Sequence, residues 1–179
     1  MLRHYLHGGG NDLTLNGTDM DRIWDNPGFN EVYEDELARV IRANGEGDID
    51  HKGTFINHNL DPSQGDLFSA FHDIRWKINV KGCTVSEQEN WFFEGDVTLS
   101  VEDRYGFSDP RMAHRTPFFR QEWLHDRYQF MQEGRFLRLE RRGWVHPFNV
   151  KGSKTRSMAA LVPKTGGAPR VEIAPIDTY

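Results

Sequence analysis

Four side chains suited to phosphate chemistry lie in one irregular segment, EDRYGFSDPRMAHR, at residues 102–115. The carboxylate of Asp103 can hold a hard divalent cation, and the hydroxyl of Tyr105 can offer a hydrogen bond or a proton. His114 is a candidate general acid or base that titrates near neutral pH, and Arg115 presents a planar fork that suits two phosphate oxygens. Together these groups favour phosphoester hydrolysis, in which positioning and charge neutralisation supply most of the catalysis.

The same residue types also allow a purely structural interpretation of this segment. Asp103 could form an ion pair with Arg104 or Arg111, and His114 could cap a turn. Proline and small residues exclude a regular helix here, so either interpretation needs a rigid neighbouring element to hold the segment.

A pair of predicted strands supplies that element. Trp91 and Phe93 lie between two stretches in which apolar and polar residues alternate, and this pattern predicts an antiparallel meander of half-buried strands. Because side chains repeat every two residues along a strand, Asp103 and Tyr105 are expected on the same side of the last strand's end. The alternating residues are Ile74, Trp76, Ile78 and Val80, and then Val97, Leu99 and Val101.

Two helices are predicted beside these strands. The first begins with Asn30 as its N-cap and ends with Gly45 as its C-cap. The second runs from Thr116, with Pro117 in its first turn, to Gly134. The buried face of the first helix is expected to hold Val32, Leu37, Val40 and Ile41.

The remaining segments are shorter or irregular. Gly8 to Gly10 predict a tight turn, and residues 46–66 predict loops around a short TFI strand. The polar stretch from Lys151 to Ala168 is expected to be flexible. Short strands are predicted around residues 136–139, 144–148 and 171–173, and the whole pattern is typical of an α+β fold.

The composition of the chain excludes several classes of protein. The 179 residues can bury one sizeable core, and an aromatic content of 12% suits a folded chain. No run approaches the roughly 20 apolar residues of a membrane span, and no secretory signal opens the chain. The single Cys83 excludes an internal disulfide framework and a cysteine-based zinc cluster. A net charge of −5 argues against a general nucleic-acid binder.

The charge is unevenly distributed along the chain. Residues 1–102 hold 8 Lys and Arg against 19 Asp and Glu, whereas residues 103–179 hold 14 against 8. The basic half begins at the segment described above, which favours an anionic ligand there. A dipolar surface of solvated charges is the alternative.

EDRYGFSDPRMAHR resembles the signature of the colicin M family, bacteriocins whose active loop carries Asp-x-Tyr-Asp-Phe followed by His-Arg. The opening HYLHGGGND is similar to the His-Tyr-Leu-x-Gly-x-Gly opening of that family's catalytic domain. The sequence WKINVKGCTVSEQENWFFEGDVTLSVEDRYGF follows the family's order of strand, turn and strand, and WVHPFNVKGSK is similar to its closing strand and basic end. The resemblance predicts a catalytic domain over residues 1–156 and a flexible C-terminal extension over residues 157–179.

The resemblance implies a fold and an activity. Members of the family hydrolyse lipid II, the undecaprenyl-linked precursor of peptidoglycan, between its undecaprenyl and pyrophosphoryl groups, and they require a divalent cation. Their fold is a curved antiparallel sheet, an open half-barrel, with helices packed around it. We therefore expect a metal-dependent phosphodiesterase-type hydrolase that uses Mg²⁺, or another divalent cation such as Ca²⁺ or Mn²⁺. Its catalytic positions would be Asp103, Tyr105, His114 and Arg115, with Phe107 as a packing anchor.

Gly106 departs from the family pattern, which has an aspartate directly after the tyrosine. The spacing from Tyr105 to His114 is also longer, and Asp109 lies within the lengthened loop. We expect Asp109 to supply the missing carboxylate, so that Asp103 and Asp109 are the predicted metal ligands. A metal-dependent nuclease toxin and a catalytically silent module that binds lipid pyrophosphate are the alternatives.

The resemblance also implies partners and a location. Because it begins almost at Met1, we expect a catalytic domain from a larger effector, or a cargo of a secretion apparatus such as type VI. The expected partners are lipid II at the membrane surface and a cognate immunity protein, with no nucleic acid. The expected site of action is the periplasm of a target bacterium, although this chain carries no signal peptide of its own.

Overall fold

The computed structural model describes residues 9–59, 73–105, 142–144 and 146–173. Within these ranges the chain forms two helices, α1 (Gly17–Trp24) and α2 (Pro27–Asn44), and seven strands. The strands are β1 (Leu13–Thr14), β2 (Gly47–Lys52), β3 (Ile56–Asn59), β4 (Asp73–Glu87), β5 (Asn90–Tyr105), β6 (Phe148–Pro163) and β7 (Arg170–Ile173).

The strands form one open, curved and mostly antiparallel sheet. Its order is β1-β6-β5-β4-β2, with β3 paired to β4 and β7 paired to β6. The predicted meander is the long β4–β5 hairpin, which runs from Arg75 opposite Glu102 to Glu87 opposite Asn90. The expected fold class, a curved open antiparallel sheet with helices, is therefore confirmed.

The chain divides into two compact units, each built from two segments. The smaller unit comprises residues 1–14 and 103–150, and the larger unit comprises residues 15–102 and 151–179. Both helices and most of the sheet belong to the larger unit. Asp103 and Tyr105, at the end of β5, belong to the smaller one.

One face of β4 and β5 forms the core of the larger unit, because every second side chain on it is apolar. Phe29 of α2 is fully buried, and its ring packs edge-on against Trp76 with the ring centroids 5.4 Å apart. Such aromatic contacts remove large apolar areas from water. The buried strand residues of this face are Ile49, Ile74, Trp76, Ile78, Val80, Phe93, Val97, Leu99 and Val101.

Helix α2 covers this face with one apolar stripe, as the helical period requires. Leu37, Val40 and Ile41 are buried as predicted, whereas Val32 is only half-buried. Phe29 and Tyr33 complete the buried stripe.

The N-terminal end of α2 differs from the prediction. Asn26 is its N-cap, because the Asn26 side-chain oxygen accepts a hydrogen bond from the Phe29 backbone at 3.3 Å and Pro27 opens the helix. The prediction of Asn30 as the N-cap is therefore wrong. Gly45 is the C-cap as predicted, with a φ of 71°.

Helix α1 was not predicted from the sequence. Asn16 and Asp19 form a capping box at its start, which satisfies backbone N–H groups that would otherwise lack partners. Gly152 allows the helix to approach β6, because a Cβ atom there would lie 2.9 Å from Leu15 Cβ and overlap the sulfur of Met20.

Strands replace predicted loops in two stretches. β2 and β3 occupy much of residues 46–66, and β6 crosses most of the Lys151–Ala168 stretch, so the predictions of loop and flexibility are wrong there. β6 lies between β1 and β5, where its backbone groups are paired on both sides. Its buried residues, Phe148, Val150, Met158, Ala160 and Val162, lie at every second position near its two ends, and most of its polar side chains lie between them.

Three further predictions concern short segments. Positive φ angles of 62° and 82° at Gly9 and Gly10 confirm a tight turn at those two residues. The strand predicted at residues 171–173 lies within β7, whereas the one predicted at 144–148 begins only at Phe148. The helix predicted from Thr116 to Gly134 and the strand at 136–139 lie outside the described residues.

The predicted division of the chain after residue 156 falls within β6 and stays a prediction. In the described ranges, neither helix has the length and apolar character needed to cross a membrane.

Candidate functional site

The end of β5 carries the first two residues of the predicted motif. β5 is extended through Tyr105, so the backbone geometry on which the prediction depends is present. Asp103 is half-buried, and its Oδ1 accepts a hydrogen bond from the backbone N–H of Arg104 at 2.7 Å. This contact helps to orient the carboxylate at the end of β5.

The neighbouring acid, Glu102, has a different role. Its carboxylate forms an ion pair with Arg75, its register partner on β4, at 2.6 Å. Both side chains are well exposed, and exposed pairs of this kind stabilise a fold only weakly. The two adjacent acids at the end of β5 are thus distinguishable, and Glu102 provides a matched control for Asp103.

The glycine turn of the smaller unit packs beside the start of β6. A Cβ atom at Gly10 would lie 2.9 Å from the Cβ of His146, so only glycine fits this close approach at its positive φ. Two residues later, Asp12 Oδ1 accepts hydrogen bonds from the backbone N–H of Asn149 at 3.1 Å and from its Nδ2 at 2.9 Å. Gly10 and Asp12, at the end of the opening segment that carries part of the family resemblance, therefore contact the residues at the start of β6.

Three predicted site residues lie outside the described part of the chain: Asp109, His114 and Arg115. Their positions relative to Asp103 stay a prediction, as does the role of Phe107. The side chain of Tyr105 is also outside what the structure describes.

The predicted cation site can be assessed only through Asp103. Its carboxylate oxygens are the type of donor that Mg²⁺ and Ca²⁺ take from proteins, so its chemistry is compatible with a metal ligand. Across residues 9–59, 73–105, 142–144 and 146–173, no three His, Cys, Asp or Glu side chains are grouped as a metal site. The second predicted ligand, Asp109, is outside these ranges.

Two cations of the basic C-terminal half form ion pairs with acids in and directly after α1. Lys154 donates to both oxygens of Asp21 at 2.6 Å, and Arg156 bridges Asp21 and Asp25 at 2.6 Å from each. The Arg156 guanidinium also lies 4.9 Å from the ring centroid of Trp24. Hydrogen bonds from Lys154 and then Arg156 lower the pKa of Asp21 below its ordinary value. Acids of the N-terminal half and bases of the C-terminal half therefore form ion pairs that join the α1 region to β6.

A polar groove lies on the side of the sheet opposite α2, entirely within the larger unit. We call it the open-face groove; its volume is about 410 Å³ and it crosses β2, β4, β5 and β6. The side chains that line it from the polar positions of these strands are Asp50, Lys52, Lys77, Asn79, Lys81, Asp96, Thr98 and Thr155.

Hydroxyl groups join β5 to β6 across this face. Thr98 and Thr155 share a hydrogen bond of 2.8 Å, and Ser100 and Ser153 share one of 3.0 Å. The partner numbers fall on β6 as they rise on β5, which indicates an antiparallel pair. Each hydroxyl can make a further hydrogen bond, because it is both a donor and an acceptor.

The lysines of the open-face groove carry unneutralised charge. Within the described part of the chain, Lys52, Lys77 and Lys81 have no carboxylate within the 4.0 Å of an ion pair. Lys77 instead lies 4.9 Å from the ring centroid of Phe55. Asn79 uses its side-chain oxygen to accept from the Gly53 N–H at 3.1 Å, which leaves its amide nitrogen as a donor toward the groove.

This groove was not predicted from the sequence. The signal was present as polar residues at every second position, in the runs K-x-N-x-K at 77–81 and D-x-T-x-S at 96–100. Such runs are also typical of a solvated sheet face, and only the structure shows that they share one concave surface.

No protein-family model matches this chain, and no curated protein matches it in sequence. Among solved structures, the chain is similar to PaeM, a colicin M-like bacteriocin produced by Pseudomonas aeruginosa, with a TM-score of 0.43 and 16% sequence identity. The similarity covers 98% of this chain and 50% of PaeM, so the chain spans about half of PaeM's length. At this TM-score and identity, the likeness is too distant to assign a family or an activity.

Proposed function

We propose that this chain is the catalytic part of an antibacterial effector that hydrolyses lipid II between the undecaprenyl and pyrophosphoryl groups. The observation that carries the proposal is the position of the motif. Asp103 and Tyr105 end a long strand of an open, curved antiparallel sheet, and EDRYGFSDPRMAHR continues from that strand. A rigid strand end is a suitable support for reactive side chains.

The proposed reaction is a hydrolysis in which the bond between phosphorus and the prenyl oxygen breaks. The hydroxyl of water joins the phosphorus, and the prenyl oxygen takes up a proton to give undecaprenol. His114 would orient or deprotonate the water, or protonate the departing oxygen, and Arg115 would bind a phosphate oxygen. Tyr105 would donate a hydrogen bond to the diphosphate.

A divalent cation held by Asp103 and Asp109 would neutralise charge on the diphosphate when bound. Gly106 makes Asp109 important in this scheme, because the carboxylate expected directly after Tyr105 is absent. Asp109→Ala tests that role: the variant is expected to lose about 100-fold or more of its cleavage rate on lipid II. Cleavage at the parental rate would mean that Asp109 does not compensate for Gly106.

The proposal is tested by incubating purified protein with lipid II and measuring released undecaprenol, with Mg²⁺ and with a chelator. We expect release with Mg²⁺ and none with the chelator. Gly106 favours one second candidate, a module that binds lipid pyrophosphate without cutting it. Binding of lipid II without any release of undecaprenol would identify that module and exclude the hydrolase.

The proposed biological setting follows from the proposed substrate. Lipid II is used on the periplasmic side of the membrane, so the chain would act there after delivery by a carrier or a secretion apparatus such as type VI. A producer cell would need a cognate immunity protein. Plasmid DNA incubated with the protein and Mg²⁺ is expected to stay intact, in contrast to the outcome for a nuclease toxin.

A further inference from the structure

The open-face groove has features of a ligand site that the proposed chemistry does not use. Its floor is a four-stranded part of the sheet, and its volume is about 410 Å³. Three lysines and a set of hydroxyl and amide side chains line it.

The charges of the groove favour an anionic group. Lys81 has acidic register neighbours, Asp50 on β2 and Asp96 on β5. Lys52 is the register partner of Asn79 on β2, and Lys77 lies two residues before Asn79 on β4; among the described residues, no carboxylate lies within ion-pair distance of either lysine. The groove therefore has its positive end at Lys52 and Lys77, where a carboxylate or phosphate would be held.

The neutral groups of the groove favour a ligand rich in hydroxyls. Thr98 and Thr155 hydrogen-bond to each other at 2.8 Å, and each keeps capacity to donate or accept once more. The amide nitrogen of Asn79, which has no hydrogen bond among the described residues, adds two donors on the same face of the sheet. Sugar hydroxyls both donate and accept, so a sugar ring can satisfy this set, whereas an apolar ligand would leave it unpaired.

We propose that the open-face groove binds an acidic glycan. Its sugar ring would lie against Thr98, Thr155 and Asn79, and its carboxylate or phosphate would lie at Lys52 and Lys77. If the chain acts on lipid II, this ligand is the amino-sugar and acidic-peptide part of that substrate, and to that extent the inference rests on the proposed function. β5 lines the groove at Thr98 and continues along the chain into Asp103.

The binding test uses the whole chain, labelled with ¹⁵N, and two soluble probes: N-acetylmuramyl-pentapeptide and inorganic pyrophosphate. We expect the glycan probe to shift the amide signals of Asn79, Lys81, Thr98 and Thr155. Two double variants test the chemistry: Lys52→Gln with Lys77→Gln, and Thr98→Val with Thr155→Val. Each is expected to weaken binding by about tenfold, since each removes two polar contacts.

A matched control removes the same kinds of group elsewhere. Thr18→Val with Arg22→Gln takes one hydroxyl and one charge from exposed positions on α1, and binding is expected to stay within about twofold of the parent. The proposal is overturned if the glycan probe shifts none of the four amides or if the groove variants bind like the control. It is also overturned if pyrophosphate alone gives the same shifts with the same affinity, because the site would then recognise phosphate and not a glycan.

Steady-state kinetics on two substrates distinguish this inference from the proposed function. For lipid II, the Thr98→Val and Thr155→Val double variant is expected to raise KM with kcat unchanged, whereas undecaprenyl pyrophosphate, which has no sugar, should be cut as before. If this double variant cuts lipid II with the parental KM and kcat, the glycan site is excluded and the proposed hydrolase activity is not. If the parent protein binds the glycan in the groove but does not cleave lipid II, the hydrolase activity is excluded and the glycan site is supported.

Discussion

The two faces of the β4–β5 hairpin differ in what covers them, although the same strands build both. On one face Trp76, Ile78 and Leu99 are buried, and Phe29 of α2 packs on Trp76, whereas on the other face Lys77, Asn79 and Thr98 line a groove. Successive side chains of an extended strand point to opposite faces of the sheet. Each core residue of these strands is therefore followed by a residue on the groove side. The covered face thus holds the fold together, and the open face can carry recognition at little cost in stability.

The largest expected effect on stability comes from the covered face. Phe29→Ala removes a fully buried ring that packs on Trp76, and we expect it to lower the free energy of unfolding by about 3–5 kcal/mol. Urea unfolding followed by circular dichroism measures this loss. A change below about 1 kcal/mol would mean that α2 does not form the core with β4.

A smaller effect is expected from the ion cluster between α1 and β6, and it depends on pH. The folded-state pKa of Asp21 lies below its ordinary value of 3.8, so its carboxylate stabilises the fold fully above that value. This contribution is lost as the pH falls through the lower, folded-state pKa. Asp21→Asn should therefore narrow the difference in melting temperature between pH 7 and pH 3. An unchanged difference would show that Lys154 and Arg156 do not stabilise the ionised form.

The smallest effect on stability is expected on the open face. Thr98→Val keeps the shape and strand preference of the side chain and removes one exposed hydroxyl bond, so the free energy of unfolding should change by no more than about 0.5 kcal/mol. The same urea titration measures it. A loss comparable to that of Phe29→Ala would show that the two faces do not divide stability and recognition as described.

The strands that the sequence predicted best are those with an apolar face. Ile74 to Val80 and Val97 to Val101 alternate strictly, and both stretches lie in the hairpin as expected. β6 was missed because Ser153, Thr155 and Ser157 make its first half polar. That half is held by backbone pairing with neighbours distant in sequence and by hydroxyl bonds to β5, which a local pattern cannot reveal.

The candidate site was predictable in its residue types and only partly in its geometry. The alternation of β5 correctly predicted an extended backbone at Asp103 and Tyr105. Asp109, His114 and Arg115 lie outside the described residues, so their placement relative to Asp103 stays a prediction. The open-face groove escaped prediction for a different reason, since its lysines come from β2 and β4 and meet only when the sheet forms.

The most direct test of the central claim compares two adjacent acids, Asp103 and Glu102, in the release of undecaprenol from lipid II with Mg²⁺. Asp103→Asn should slow release by about 10²–10³-fold, because it removes the charged group that we propose to act on the diphosphate through a bound cation. Glu102→Gln breaks only an exposed ion pair with Arg75 and should stay within about twofold of the parental rate. Equal rates for the two variants, or full activity of Asp103→Asn, would contradict the assignment of this strand end as the catalytic site.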